Sequence, residues 1–277
     1  WTRISTGALD DTQEASAART ADGVLHVAWT RDMPGLADRL VDSRVRASGA
    51  AKTQVLVTPT SWKSLQSPFI VTEGDGSLRI LVGGQRTGVG GADNEWLSTL
   101  TAPASGAAWT LYPTDVVTGG TSYSTHVAAL RRADGVYIEA WGESGAGAHA
   151  GLHAASPEHP IGFPSCCVYD AGLAQDGATG AVWAGVTSNA NGHHGVLAIP
   201  LANDASVAGA ALKMPSSTLG GDVDQWLART PITGRGAGRA GVFMAYTLGY
   251  PTPSKVGVWR VGSSSTTAVR SLASGRT

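Results

Sequence analysis

The chain has 277 residues, 42% of them hydrophobic, and a formal net charge of -1 with no acidic or basic tail. That length suits one large β domain or two average ones, and the composition can fill a core. The near-neutral balance argues against a nucleic-acid surface, which would need a clustered cationic face, and no apolar run is long enough for a membrane span. Nine Trp and 37 Gly stand against three Phe and three Met. Such a bias predicts strands joined by many tight turns. The sequence begins at Trp1 rather than Met, which reads as a mature or processed form with any leader already removed.

Taken in chain order, one pattern recurs. A small-residue strand, "EASAART" (14–20), meets a glycine turn and the apolar strand of "ADGVLHVAWT" (21–30). "LVDSRVRA" (40–47) and "TQVLVTP" (53–59) follow as third and fourth strands. The second copy runs through "SPFIVTE" (67–73), "GDGSLRILVG" (74–83), "WLSTLTAP" (96–103) and "WTLYP" (109–113). The third has "THVAALRR" (125–132), "ADGVYIEAWG" (133–142) and "AGLHAA" (150–155). The fourth has "VYDAGLAQ" (168–175), "GATGAVWAGV" (177–186), "HGVLAIPL" (194–201) and "ALKMP" (211–215), with an Asn191-Gly192 hairpin signal. The fifth has "WLARTPIT" (226–233), "GRAGVFMAYT" (238–247), "VGVWRVG" (256–262) and "TAVRSL" (267–272).

The turn glycines Gly23, Gly76, Gly135, Gly180 and Gly241 recur at about 45 to 60 residues, a blade-like period. Four antiparallel strands per copy, repeated radially, predict an all-β propeller of five visible blades in a single domain, residues 1–277. "WTRIST" (1–6) resembles a surplus fourth strand. Either it closes the ring beside the last blade, or the chain is part of a six-bladed ring.

In a propeller, the loops into the first strand and between the second and third strands open on one upper face, where ligand sites collect. Here the former fall near 7–14, 58–67, 115–126, 159–170 and 217–226, the latter near 30–39, 83–96, 142–151, 188–195 and 248–257. Counting back from each turn puts Glu14, Ser67 and His126 at equivalent places at the mouth, with Cys167 and Asp224 nearby in later blades. A carboxylate facing a channel loses solvent, and its raised pKa suits a general acid; the alternative for Glu14 is an ion pair with a channel arginine. Sugar cleavage needs two carboxylates, about 5 Å apart for retention and farther for inversion. The candidates for catalysis are Glu14, Glu143 and Asp224, with Asp11 beside them. Arg31 and Arg86 can bind an anionic substituent bidentately. Trp29, Trp141, Trp183 and Trp226 offer flat faces, but three of them sit in strands, where blade packing is the readier use. Of the metal candidates, His193 and His194 are adjacent and point apart in a strand, and His149 and His153 lack a third ligand at fixed spacing. No metal or cofactor is expected.

The two cysteines, Cys166 and Cys167, are neighbours, followed by Tyr169 and Asp170. In an oxidising compartment they can close only a vicinal disulfide, a small strained ring that fixes local backbone and staples nothing distant. The alternative is two ordinary thiols. As a rigid knuckle at the mouth, the pair would shape a pocket floor, so Cys166, Cys167, Tyr169 and Asp170 join Asp11, Arg31, Arg86 and His126 as ligand-binding candidates.

The strand order, the Asp-Gly turns and the stretch "CCVYDAGLAQDGATGAVWAGVTSNANG" (166–192) resemble secreted bacterial propellers of the sialidase-like superfamily. The Asp-box turn and the Arg-Ile-Pro signature of true sialidases are absent, and no arginine triad maps residue by residue. The resemblance implies an extracellular protein that hydrolyses or binds glycans. The reading is therefore a secreted carbohydrate-active propeller, glycoside-hydrolase-like, with a central upper-face site for a glycan or another small polar ligand. The alternative is a non-catalytic glycan-binding or surface-interaction propeller. Loops that differ from blade to blade favour one asymmetric site over one pocket per blade.

Overall fold

The computed structural model describes residues 15–31, 38–49, 51–57, 62–86, 95–112, 117–120, 124–143, 147–152, 158–162, 171–188, 190, 192–215, 217, 232–234, 238–248, 255–261 and 267–273. Among these residues there is no helix, and every regular element is a strand. Sheet 1 is β1 (Ala15–Arg19), β2 (Leu25–Arg31), β3 (Arg39–Val45) and β4 (Ala51–Val57), paired in that order. Sheet 2 is β5 (Trp62–Thr72), β6 (Leu78–Arg86), β7 (Glu95–Ala102) and β8 (Thr110–Leu111), with β9 (Val117–Gly120) also paired to β7. Sheet 3 is β10 (Ser124–Arg131), β11 (Tyr137–Glu143), β12 (Gly147–Leu152) and β13 (His159–Pro160). Sheet 4 is β14 (Ala171–Gln175), β15 (Val182–Ser188), β16 (Gly195–Leu201) and β17 (Leu212–Lys213). Sheet 5 is β18 (Ile232–Gly234), β19 (Val242–Leu248), β20 (Lys255–Val261) and β21 (Thr267–Ala273). The expected second strands are β2, β6, β11, β15 and β19. The segment 1–6 lies outside the described residues.

The chain divides into two compact units, Trp1–Arg131 and Arg132–Thr277, the boundary falling where β10 gives way to β11.

Three of the five repeated turns share one construction. Thr20, Glu73 and Arg132 each donate their N–H to the carbonyl four residues on and accept one from the glycine three residues on. Asp22, Asp75 and Asp134 accept the N–H two residues ahead. The glycines Gly23, Gly76 and Gly135 sit at φ +83°, +84° and +87°, a left-handed conformation that suits a residue without Cβ. A further copy closes the end of β16, at Ala202–Ser206, with Asp204 in the acceptor place and Ala205 at φ +70°. It lies outside the five turns that the sequence pattern picks out, because an alanine stands where the others have glycine.

Strand burial departs from the expected alternation. All seven residues of β15 are buried. Successive side chains of a strand point to opposite faces, so this strand is covered on both. The three two-residue strands β8, β13 and β17 are outermost in their pairing order, and short outer strands limit edge-to-edge association.

In the first unit β5 lies beside both β1 and β10, and the Ile70 N–H donates to Ser16 Oγ at 3.1 Å. Its core is aliphatic: Leu40, Leu65, Ile70, Leu78, Ile80, Val82 and Leu100 pack around Ala28 and Ala102. In the second unit β14 lies beside β18, and the core is built from Trp183, Tyr246 and Trp259 with Met214 and Met244. There Tyr246 stacks on Trp259, centroids 4.5 Å apart and planes 12° from parallel. The Tyr246 hydroxyl donates to the Pro215 carbonyl, and burial pushes its pKa above the ordinary phenol value.

Candidate functional site: the second-strand ends

The second strands finish at corresponding ends of their sheets. In the first unit, β2 ends on Arg31, opposite Arg39 of β3, and β6 ends on Arg86, opposite Trp62 of β5. In the second unit β11 ends on Glu143 opposite Gly147, β15 on Ser188 opposite Gly195, and β19 on Leu248 opposite Lys255. Three of these five end residues are ionic, although such strands are otherwise mostly apolar. Arg31 is half-buried. The neighbouring Asp38 carboxylate accepts the Leu65 N–H at 3.0 Å, which ties the stretch before β3 to β5.

The inner strand of sheet 2 is distorted at this end. Between Gln66, opposite Gly83, and Phe69, opposite Leu81, two residues face one. This is a β-bulge, and its second residue is Pro68, which has no N–H to offer a ladder. Ser67 carries the kink at φ +53° while buried, a conformation that a residue with a Cβ, followed by proline, adopts under strain. The bulge also corrects the counting argument. Ser67 was matched by count with Glu14 and His126, but Gln66 makes the cross-strand pair with Gly83, and Ser67 is the residue turned out of register.

Of the expected site residues, Arg31 and Arg86 end β2 and β6 in the first unit, and Glu143 ends β11 in the second. His126 is the third residue of β10. Glu14, Asp224, Asp11, Cys166, Cys167, Tyr169 and Asp170 lie outside the described residues, as do Trp226 and His153. Trp29, Trp141 and Trp183 are buried packing residues, as their strand positions implied. Two expected loops contain structure that the sequence did not signal. The stretch near 115–126 includes β9 and the start of β10, and the stretch near 159–170 begins with β13. The stretch near 58–67 gives way to β5 at Trp62. Such short strands carry no periodicity to read; they form because β7 and β12 present free ladder groups.

His149, considered above for metal, is a packing residue. It stands opposite Trp141 in the β11–β12 ladder, stacks on that indole at 6.0 Å and 14°, and sets Nδ1 3.7 Å from Glu158 Oε1. Among the described residues no three His, Cys, Asp or Glu side chains gather to hold a metal, and no helix is long and apolar enough to cross a membrane.

No known protein-family profile matches the chain. No curated protein matches it by sequence. Solved structures do match. A protein of unknown function from Dyadobacter fermentans superposes with a TM-score of 0.64 at 13% identity, covering 97% of this chain and 85% of the other. A GH43_1 enzyme from Xanthomonas citri, also solved with xylotriose bound, superposes with 0.52 at 13% identity, covering 87% and 82%. The NanB sialidase of Streptococcus pneumoniae gives 0.70 at 7% identity, covering 98% of this chain and 63% of its own. This chain thus spans less than two thirds of NanB. At these identities the likeness establishes the fold: an all-β propeller of the kind that glycoside hydrolases use.

Proposed function

We propose that this protein is a secreted carbohydrate-active propeller, and that its glycan engages the first unit at the end where β2 and β6 finish. The observation that carries this is the pair of arginines, Arg31 and Arg86, at corresponding ends of neighbouring sheets in the first unit. A guanidinium presents two parallel N–H donors that match a carboxylate edge, so two of them at one end select a sugar with an acidic substituent. The bulge at Ser67 supports the reading, since bulges and strained backbone concentrate where a strand must re-aim a group for function. The propeller hydrolases among the structural neighbours add an analogy of fold and nothing finer.

Taken by itself, the second unit offers Glu143, the carboxylate that ends β11, as its described candidate for a general acid. A general acid must hold its proton near neutral pH and release it to the leaving oxygen. The test is a panel of neutral and acidic glycans, scored for both release and binding. Glu143→Gln should lower release by roughly a hundredfold, the usual worth of acid catalysis, with melting unchanged. Arg31→Gln with Arg86→Gln should weaken acidic glycans and leave neutral ones alone. Full release by Glu143→Gln overturns the acid assignment, and unaltered acidic-glycan affinity in the double variant overturns the arginine assignment. Binding without release in the wild type would make the protein a glycan-binding module.

A further inference from the structure

Away from those strand ends, the first unit holds a cleft that the reading above does not use. The ladder of sheet 1 sets His26 opposite Arg44, and Arg44 opposite Lys52. Three strands thus align three basic side chains in one row. Arg46, two residues beyond Arg44, belongs to the same face. Like charges directly across a ladder are unfavourable, so the row needs a counter-charge.

Part of it is internal. Asp42 is fully buried, with Oδ2 3.0 Å from His26 Nδ1 and 3.7 Å from Arg44 Nε. Arg44 is oriented further by donating to the Ser105 carbonyl at 2.8 Å and to the Gln54 side chain. Gly106, at φ +63°, caps the pair so closely that a Cβ there would lie 3.0 Å from His26 Cε1 and 3.1 Å from Asp42 Oδ2. The Asp42 carboxylate is therefore committed to His26 and Arg44. Arg46 and Lys52 are exposed, and no carboxylate among the described residues pairs with either. Both line an open cleft of about 440 Å³, together with Asp22, Val24, Ser105 and Ala107. Its size falls in the range of about 300–1,000 Å³ typical of small-ligand sites. Hydrogen bonds from the Thr20 hydroxyl and the Val24 N–H hold the Asp22 carboxyl below its ordinary pKa. That wall stays anionic and occupied by its own turn, which leaves the free positive charge at Arg46 and Lys52.

We propose that this cleft binds a sugar-sized organic anion, its carboxylate, phosphate or sulfate group held between Arg46 and Lys52, with Arg44 as the fixed wall behind. The assignment is independent of the site proposed at the second-strand ends.

The experiment is calorimetric titration of the intact chain with glucuronate, glucose 6-phosphate and glucose 6-sulfate, beside glucose and inorganic sulfate. In the Arg31→Gln, Arg86→Gln background, which removes the arginines proposed at the strand ends, at least one of the three organic anions should saturate a single site. The one that binds identifies the charged group. In that background, Arg46→Gln with Lys52→Gln should weaken it about tenfold or more, which separates this site from the other. The double variant should melt no lower than wild type, because it removes like charges from an exposed row. Should it melt lower, Lys52→Gln alone replaces it in the comparison. The proposal is overturned if no organic anion saturates, if glucose or inorganic sulfate binds as tightly, or if the variants bind with wild-type strength.

Discussion

Each unit fills its own core differently. In the first, branched aliphatics fill the core and a buried His26–Asp42 pair sits near its margin. In the second, large aromatics and methionines do the filling, and glycines let the sheets approach. A Cβ at Gly185 would meet Met244 Cε at 2.8 Å and Ile232 at 3.4 Å, and a Cβ at Gly234 would meet the Gln175 carbonyl oxygen at 1.8 Å. Aliphatic side chains interdigitate and tolerate small polar insertions that find partners. In the second unit the missing Cβ atoms leave room for Met244 and Ile232 beside Gly185 and for the Gln175 backbone beside Gly234.

The difference predicts where each unit breaks. Gly234→Ala should have the largest effect: its Cβ strikes a backbone atom that cannot rotate away, so a loss beyond about 5 kcal/mol, or no folded product, is expected. A melting temperature within a few degrees of wild type would deny the close approach of β18 to β14. Next, Trp259→Ala removes one ring of the Tyr246 stack and leaves a cavity, for about 3–5 kcal/mol by denaturant titration. Its first-unit counterpart is Asp42→Ala, which strips the partner from buried His26 and from Arg44 and should cost about 3 kcal/mol. If Asp42→Ala cost less than about 0.5 kcal/mol, within the range of ordinary surface changes, the polar pair would be incidental to the first unit.

The smallest effect is shared by both units. Asp22, Asp75 and Asp204 have pKa values below the ordinary carboxyl range, first because a serine or threonine hydroxyl donates to each. For Asp176, partial burial pushes upward, but N–H donors from Thr179, Gly241 and Ala178 outweigh it and the net shift is down. A carboxyl lowered by folding adds stability above its unfolded pKa of 3.8 and loses it as pH falls through the folded value. Stability should therefore fall below about pH 4, and Asp75→Asn with Asp204→Asn should flatten that slope. An unchanged slope would show the turns are held by backbone bonds alone.

The turns and second strands were legible because they are local. An Asp-Gly pair needs only its own five residues, and the apolar strands that follow begin within two residues of each turn glycine. Ser67 was legible as a position but not as a bulge, since the Ser-Pro pair gains meaning only against β6. At the candidate site, Arg31, Arg86 and Glu143 could be picked out because each follows a readable strand. The short strands β9 and β13 could not, having too few residues for any period.

The cationic row shows the boundary most clearly. By itself the sequence determined which segments become strands and which residues turn the chain, because hydrophobic pattern and glycine conformation act over a few neighbours. It did not determine that His26, Arg44 and Lys52 stand side by side. That depends on ladder register, where a slip of one residue would send every side chain to the opposite face. Register is decided by the cores on both sides of the sheet at once, and by the seat that Gly106 leaves over His26. Only the tertiary structure brings those together.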